Sequence, residues 1–367
     1  MNRLIALSLP GGDQFVAELQ RAWDAGDAVL AVDRRLPAAA VQRLLRSMAP
    51  STLIDESGET ELYGGRPVEP GDALVMVTSG STGDPKGVVL THQAIAANAE
   101  STSARLGVDP AADHWLSCLP LSHVGGLSVV VRALHTGTPL TVHDGFDAEA
   151  VMDAARSGVT LVSLVVTALR RIDPAVFRTI VLGGSAMPVD RPANTVATYG
   201  MTETGSGVVY DRLPVANVEM RIVDGEIQLR CPMLLRCYRD GSDPKTPDGW
   251  YRTGDVGSID IDGRLHVDGR RGDLIITGGE NVWPDAVEKV LAKAPEIAEV
   301  SIVGRPDPEW GAAVTAVVVS APGQEVVLEA LRDLVKSELP SYCAPRAMEI
   351  VESLPRTALG KVQRHLL

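Results

Sequence analysis

Aromatic residues are scarce. They make up 4% of the 367 residues, with three Phe, so a core has to be built from Val, Leu, Ile and Ala. Cysteine is scarce too. The four present (Cys118, Cys231, Cys237, Cys343) show no CxxC spacing and no His/Cys cluster. That argues against a zinc site or a disulfide framework and fits a reduced, cytoplasmic setting. No apolar run reaches the ~18 residues a membrane span requires. The best candidates, 159–169 and 124–134, are shorter, and Arg132 interrupts the second. The first ten residues are too briefly apolar for a secretory signal. Basic residues are outnumbered, 34 Lys plus Arg against 47 Asp plus Glu, for a net charge of −13. This excludes a general grip on nucleic acid, though a local cluster could still hold a phosphate or carboxylate.

The length suits two domains. Thirty-five Gly and 24 Pro imply many turns, more than a helical bundle needs. Helix-like stretches at 14–24 and 38–48 alternate with short apolar strands at 28–32 and 52–54. Residues 72–78 read as a buried strand, 88–90 as a second, and a helix begins near His92. From 116 to 181 strands again alternate with helices, the pattern of a sheet flanked by helices. Residues 218–223, 225–230 and 264–267 read as a hairpin-rich section. Beyond Gly269 come a helix at 284–294, strands at 298–303 and 312–320, and an amphipathic helix at 326–339. The expected fold class is therefore α/β. A large N-terminal domain of flanked sheets plus a β-rich subdomain (1–270) precedes a small α+β domain (271–367).

The strand at 72–78 runs into Thr78-Ser79-Gly80-Ser81-Thr82-Gly83-Asp84-Pro85-Lys86-Gly87. Flexible backbone amides, hydroxyls and one cation within ten residues are the equipment for holding a polyphosphate. It is not a Walker A loop, because Pro85 precedes Lys86 and Gly87 follows it. A lone Gly/Ser stretch is more often a solvated turn, but this string is far more specific than that.

Here the chain resembles the acyl-adenylate-forming superfamily of acyl-CoA synthetases, carrier-protein adenylation domains and luciferases. Four further segments follow in the family's order. They are Tyr199-Gly200-Met201-Thr202-Glu203-Thr204, Tyr251-Arg-Thr-Gly-Asp255, the stretch from Gly269-Arg270-Arg-Gly272-Asp through Gly278-Gly279-Glu-Asn to Pro284, and Pro355-Arg-Thr-Ala-Leu-Gly-Lys361. The resemblance spans residues 78–361. It implies that Thr78, Ser79, Gly80, Ser81, Thr82, Gly83 and Lys86 hold the phosphates of ATP, with Thr82 counted among the catalytic residues. Gly183, Gly184 and Ser185, with Tyr199, Gly200, Met201 and Thr202, would approach the adenine. Asp255 would take the ribose hydroxyls with Arg270 nearby. Glu203 would hold Mg²⁺, and Lys361 would be the catalytic lysine.

The residue types suit that chemistry. Joining a carboxylate to the α-phosphate brings two anions together, so the site needs cations and Mg²⁺ rather than a strong base. Glu203 is a hard oxygen donor among hydroxyls; outside this string it would read as a surface glutamate. Asp255, after a Thr-Gly turn, could equally be a turn cap. Lys361, on a flexible stem, suits delivery by a mobile domain; most lysines near a terminus are simply surface charges. Arg270 could be no more than a solvated linker charge. His123, in Pro120-Leu-Ser-His-Val-Gly-Gly-Leu127, reads as a wall of the acid/CoA pocket rather than a base. Gly125 and Gly126 would leave room there for the acyl chain. Thr167 would line the same pocket unless it caps a buried strand.

Within the superfamily, Arg271-Gly272-Asp-Leu-Ile-Ile-Thr-Gly-Gly-Glu-Asn-Val282 and Leu354-Pro-Arg-Thr-Ala-Leu-Gly-Lys-Val-Gln-Arg364 resemble the o-succinylbenzoate–CoA ligases of menaquinone biosynthesis. The length, short for the superfamily, leans the same way. A substrate with a second carboxylate needs a cation in an apolar wall. Arg132 is the candidate, set against its reading as a helix-surface arginine. Gly272 takes the hinge position, where glycine tolerates large φ/ψ changes. About this hinge the small domain would present the loop at Gly278 and Gly279 to CoA. The implied cofactors and co-substrates are ATP, Mg²⁺ and CoA. The implied partners are small molecules, with no nucleic acid, no stable membrane association, and a homodimer left open. The competing readings are another aromatic or medium-chain acyl-CoA synthetase, a carrier-protein-loading enzyme, and a non-catalytic nucleotide-binding regulator.

Overall fold

A computed structural model describes residues 2–79, 85–184, 190–357 and 362–367, with Ser79 and Asn281 described by backbone alone. The chain divides into two compact units. The first is Met1–Met220 with Leu229–Tyr251, and the second is Arg221–Gln228 with Arg252–Leu367. This line of contact density lies elsewhere than the 270/271 boundary read from the sequence.

The first unit holds two seven-stranded sheets. In one, Leu4–Ser8 pairs in parallel with Ala28–Ala31 and with Thr52–Asp55. Ala28–Ala31 also pairs in parallel with Asp72–Ser79, which turns back on Pro85–Thr91 as an antiparallel hairpin. Leu4, Ile5, Ala6 and Leu7, and all of Ala28–Ala31, are buried, as parallel strands covered on both faces must be. The helix Asp13–Asp24 buries Phe15, Leu19 and Ala22, one face at helical spacing, against this sheet. Each such buried Leu or Phe contributes roughly 1.5–3 kcal/mol of transfer free energy. The other sheet runs in parallel from Leu140–Val142 through Trp115–Ser117, Leu161–Leu164 and Thr179–Leu182 to Thr195–Met201. The antiparallel strand Ser206–Tyr210 follows. Trp115, Tyr210 and Phe15 are among the largest fully buried side chains, and the remaining core is mostly aliphatic.

In the second unit, Ile297–Asp307, Gly311–Ser320 and Ala347–Ile350 form a sheet. The helices Pro284–Leu291 and Leu328–Glu338 supply Val287, Leu291, Leu331 and Val335 to a core with Ile302, Val314 and Val318. The antiparallel pair Tyr251–Ile259 and Leu265–Arg270 precedes it.

The expected elements are present with shifted ends. The helix beginning near His92 spans His92–Leu106, capped by the Thr91 side chain. The strand expected at 88–90 begins at Pro85, because Pro85 and Lys86 pair with Ser79 and Thr78. Among the described residues no helix is long and apolar enough to cross a membrane.

Candidate active site

The hairpin Asp72–Ser79/Pro85–Thr91 presents the two flanks of the glycine-rich loop, with Thr78 opposite Lys86. Gly80, Ser81, Thr82 and Gly83 lie outside the described residues, as do Ser185 and Lys361. A Cβ on Gly87 would stand 2.5 Å from Met48 Sδ and 2.8 Å from Arg239 Cβ, so only glycine lets the neighbouring strand close. That strand, Cys237–Tyr238, pairs with Val88 and Val89.

Tyr238 is the residue that gathers the site. Its hydroxyl donates to Glu203 Oε1 at 3.0 Å and lies 3.4 Å from the Tyr251 hydroxyl. Lys86 Nζ stands 5.4 Å from the Tyr238 ring centroid. The loop cation and the predicted metal carboxylate therefore meet on one tyrosine. Burial pushes the Tyr238 hydroxyl up to about 12, the Tyr251 hydrogen bond pulls it down, and the Glu203 charge raises it again. Burial and Glu203 push the Tyr251 hydroxyl up as well. Both tyrosines are therefore protonated donors at neutral pH.

Glu203 sits in the 3₁₀ turn Thr202–Thr204, closed by Gly205 at φ 68°. The buried Thr204 hydroxyl accepts from Met201 N at 3.0 Å and lies 2.7 Å from Ser206 O, which locks the turn. A Cβ on Gly200 would fall 2.2 Å from Ser206 O, so Gly200 is required by the bulge between Tyr199 and Gly200. Tyr199 and Thr202 are half-buried, and Met201 packs on the first unit's core. Gly183 has Thr198 Oγ1 at 2.9 Å from its would-be Cβ, and Gly184 adopts φ +83°. The turn after Thr179–Leu182 is thus restricted to small residues.

His123 precedes the helix Val124–Thr136. Its Nε2 is 3.8 Å from Asp33 Oδ2, and that carboxylate is engaged by Arg35. Burial pulls His123 below its ordinary value, Asp33 pulls it up and Arg35 down. Gly126 differs from the sequence reading. Its would-be Cβ falls 2.3 Å from Leu119 O and 2.6 Å from Pro120 O, so this glycine seats the helix on the preceding loop instead of leaving room for an acyl chain. Gly125 meets Leu119 Cδ1 at 3.3 Å. Thr167 lies exposed on the short helix Val166–Leu169 and caps no strand.

Arg132 is no surface residue. It is 1% exposed, and its guanidinium lies 4.9 Å from the Trp115 ring centroid. Nη2 reaches Ser206 Oγ at 3.5 Å, while Nε and Nη1 find no hydrogen-bond partner among the described residues. Burial pulls this guanidinium below its ordinary value. Ser206 Oγ donates to Ser128 Oγ at 3.1 Å. Ser128 lines a tight, mostly apolar cleft with Val124, Leu127, Met76, Leu90 and Gly205. Two hydroxyls thus link a buried, under-partnered cation to the cleft wall.

In the second unit, Asp255 and Arg270 face each other in the ladder, and Arg270 Nε donates to Asp255 Oδ1 at 2.9 Å. Asp255 N donates to Thr253 Oγ1, which donates to Ile227 O, so the turn carrying the carboxylate is fixed. Gly272 lies in the 3₁₀ turn Arg271–Asp273, with nothing within 4 Å of its would-be Cβ and no positive φ. Gly278 (φ +58°) and Gly279 (φ +84°) form the two-residue loop between Ile275–Thr277 and Glu280–Val282, where both positions demand left-handed backbone.

Among the described residues no group of three or more His, Cys, Asp or Glu could hold a metal ion. A single carboxylate nevertheless fits Mg²⁺, which takes one or two carboxylates and completes its shell with phosphate oxygens and water. Glu203, a hard donor beside Lys86 and Tyr238, has that chemistry.

The AMP-binding enzyme model matches residues 55–238, and the AMP-binding enzyme C-terminal domain model matches 286–361. A 2-succinylbenzoate–CoA ligase of Enterococcus faecalis is 34% identical over 334 residues, 80% of this chain and 68% of the relative. An indoleacetate–CoA ligase of Aromatoleum aromaticum is 36% identical over 79% of this chain and 66% of the relative. The o-succinylbenzoate CoA synthetase of Bacillus subtilis, solved with its acyl-adenylate intermediate, superposes with a TM-score of 0.88. That match has 28% identity and covers 99% of this chain and 87% of that one. The same enzyme solved with ATP and magnesium ion gives a TM-score of 0.87 at 28% identity, over 100% and 89% of the two chains. Two domain models in the expected order, on a fold that carries the five motifs in sequence, leave one conclusion: the chain belongs to the AMP-binding enzyme family.

Proposed function

We infer that the chain is an ATP-dependent acid–CoA ligase acting on o-succinylbenzoate in menaquinone biosynthesis. The observation that carries the ligase reading is the meeting of Lys86, Glu203 and Tyr251 on Tyr238. It sets a phosphate-binding cation beside a carboxylate suited to magnesium, with protonated phenols as donors. A carboxylate oxygen of the acid attacks the α-phosphorus of ATP, the bond to the bridging oxygen breaks, and pyrophosphate leaves. The thiol of CoA then attacks the acyl carbon, its proton passes to solvent, and AMP leaves. Magnesium, when bound at Glu203, supplies charge neutralisation to the phosphates. Lys86 and the loop at 78–83 hold those phosphates, and the Asp255 carboxylate accepts from the ribose hydroxyls with Arg270 beside it. Tyr199 and the Gly183-Gly184 turn border the adenine. Lys361 bridges the reacting carboxylate and the α-phosphate, where charge shifts between two anions.

The acid assignment rests on the relatives and on Arg132. A buried guanidinium with two unpartnered donors is costly alone and is compensated by a carboxylate. In this reading the non-reacting carboxylate of o-succinylbenzoate is that partner. The 36%-identical indoleacetate relative favours a second reading, an aryl-acetic acid with one carboxylate. AMP release with ATP and CoA over a panel of acids separates the two. The reading expects o-succinylbenzoate to lead the panel, and preference for a monocarboxylic aryl-acetate would overturn it.

In the same reading the working division is 1–270 against 271–367, with Gly272 as the pivot. Turning there withdraws Lys361 and presents the Gly278-Gly279 loop to CoA. The lack of any spanning helix among the described residues, and four free cysteines, support a cytoplasmic site of action.

A further inference from the structure

Arg364 lies three residues past Lys361 and has no part in the reaction described above. Its side chain is 21% exposed and is ringed by three carboxylates. Nη1 donates to Asp273 Oδ2 at 2.6 Å, and Nη2 donates to Glu288 Oε2 at 2.7 Å and to Asp285. Nε reaches Glu288 Oε1 at 3.2 Å. Burial alone would lower this guanidinium, but hydrogen bonds and charge from Glu288 and Asp285 outweigh it and hold it above its ordinary value.

The partners come from separate elements. Asp273 is the residue directly after Gly272, and Asp285 and Glu288 lie on the helix Pro284–Leu291. Glu288 Oε1 also accepts from Ile302 N at 2.7 Å and from Ser301 Oγ at 3.1 Å, which ties the cluster to the sheet behind it. The chain returns to Arg364 through a second anchorage. Val362 bridges Arg356, Gln363 N donates to Pro355 O at 2.8 Å, and Arg356 pairs with Glu299 at 2.7 Å. Both stems of the segment holding Lys361 are therefore fastened, one to the sheet and one to the turn at the pivot.

We propose that Arg364 is a positioning residue, which clamps the base of the Lys361 segment to the turn after Gly272 so that turn, helix and lysine move as one body. The proposal rests on the ligase reading and its pivot. A planar guanidinium has five donors in a fixed fork, and Arg364 spends four directed bonds on the three carboxylates, more than the three donors of an ammonium can supply. Such charge-assisted bonds hold geometry more tightly than neutral ones. The gain is in delivery. A lysine carried over a distance arrives reproducibly only if its base does not fray, and a misplacement of about 1 Å can cost on the order of 100-fold in rate.

The test measures the two half-reactions separately in Arg364→Gln, Arg364→Lys and Asp273→Asn. Adenylation is followed as pyrophosphate release without CoA, and thioester formation as CoA consumption with supplied acyl-adenylate. Arg364→Gln is expected to lower kcat for adenylation by about 10- to 100-fold, with KM for ATP and acid within about 2-fold and thioester formation within about 3-fold. Arg364→Lys should recover part of that loss. If Arg364→Gln does not fold, Asp273→Asn, which removes one carboxylate and strands none, is expected to slow adenylation by about 3- to 10-fold. Unchanged adenylation in these variants, or an equal fall in both half-reactions, would overturn the clamp. Lys361→Ala serves as the reference. If it leaves adenylation intact, the ligase mechanism fails; if it abolishes adenylation while Arg364→Gln does nothing, only the clamp fails.

Discussion

Two arginines, one in each compact unit, are withdrawn from solvent in opposite ways. Arg132 lies against a tryptophan ring and a serine hydroxyl, with two of its nitrogens unpartnered among the described residues. Arg364 is saturated by Asp273, Asp285 and Glu288. Burying a charge is expensive unless a counter-charge is buried with it. The saturated arginine has met that requirement inside the fold and can only be structural or positional. The unsaturated one leaves it unmet among the described residues, and the anion site proposed above rests on that difference.

The contrast can be broken at several points. The largest effect is expected from Lys361→Ala. If Arg364 exists to place that lysine, the deletion sets the ceiling, with adenylation down on the order of 10³-fold or more and thioester formation from supplied acyl-adenylate near wild type. Equal loss of both half-reactions would sink the idea of a lysine used in one step only. Next comes Arg132→Leu. With the cationic partner of its second carboxylate gone, o-succinylbenzoate should show a KM raised by about 10- to 100-fold while KM for ATP moves less than about 2-fold. An unchanged KM for the acid would remove Arg132 from the pocket.

The two arginines should also differ in the sign of their effect on stability. Replacing an unpaired buried charge by Met is expected to leave the melting temperature unchanged or raise it, because no counter-charge is stranded. Arg364→Gln strands three carboxylates and should lower it by several degrees, at about 2–4 °C per kcal/mol for units of this size. Melting curves of both variants with the same direction of shift would erase the distinction. Tyr238→Phe should act more gently, because Glu203 loses one donor. The apparent KM for Mg·ATP should rise by about 3- to 10-fold, equivalent to about 0.6–1.4 kcal/mol, with the KM for the acid unaffected.

The smallest effect concerns pH. His92, His123 and His135 are all pulled below the ordinary histidine value, first by burial. The folded state then binds fewer protons than the unfolded one between the lowered and the ordinary values. Stability is therefore full above about pH 6.5 and is lost as pH falls through that window. Thermal melts from pH 7.5 to 5 should show a decline that becomes shallower in His123→Gln. An identical slope in that variant would mean His123 takes no part.

The nucleotide half of the site was legible because its residues lie in continuous strings: Thr78 to Gly87, Tyr199 to Thr204, Tyr251 to Asp255. Glu203 and Asp255 each sit in a single local turn, and Thr78 and Lys86 face each other across one hairpin, so local spacing carries the geometry of these described parts. Tyr238 left no such signal. It lies on a two-residue edge strand, Cys237–Tyr238, and meets Glu203 only through pairing with a distant hairpin. Tyr251 heads the string that ends in Asp255 and is the first residue of the strand Tyr251–Ile259, a position that could have marked it. Gly126 was read as space for a substrate, whereas helix packing on the Leu119 and Pro120 carbonyls takes that space first. Arg364 was visible as a residue, but its three partners lie 76 to 91 positions away, and no periodicity relates them.

Gly272 makes no demand on the conformation in which it is found. Its backbone torsions are open to any residue, and a methyl group there would touch nothing. A library of variants at this position, sorted by how much protein accumulates in cells, should therefore come out nearly flat. Sorted instead by growth that depends on the pathway's own output, the same library should be steep if Gly272 is the pivot proposed above, because the cost would fall on the passage between two arrangements and on neither arrangement alone. Selection on such a residue is invisible to abundance and is seen only by flux.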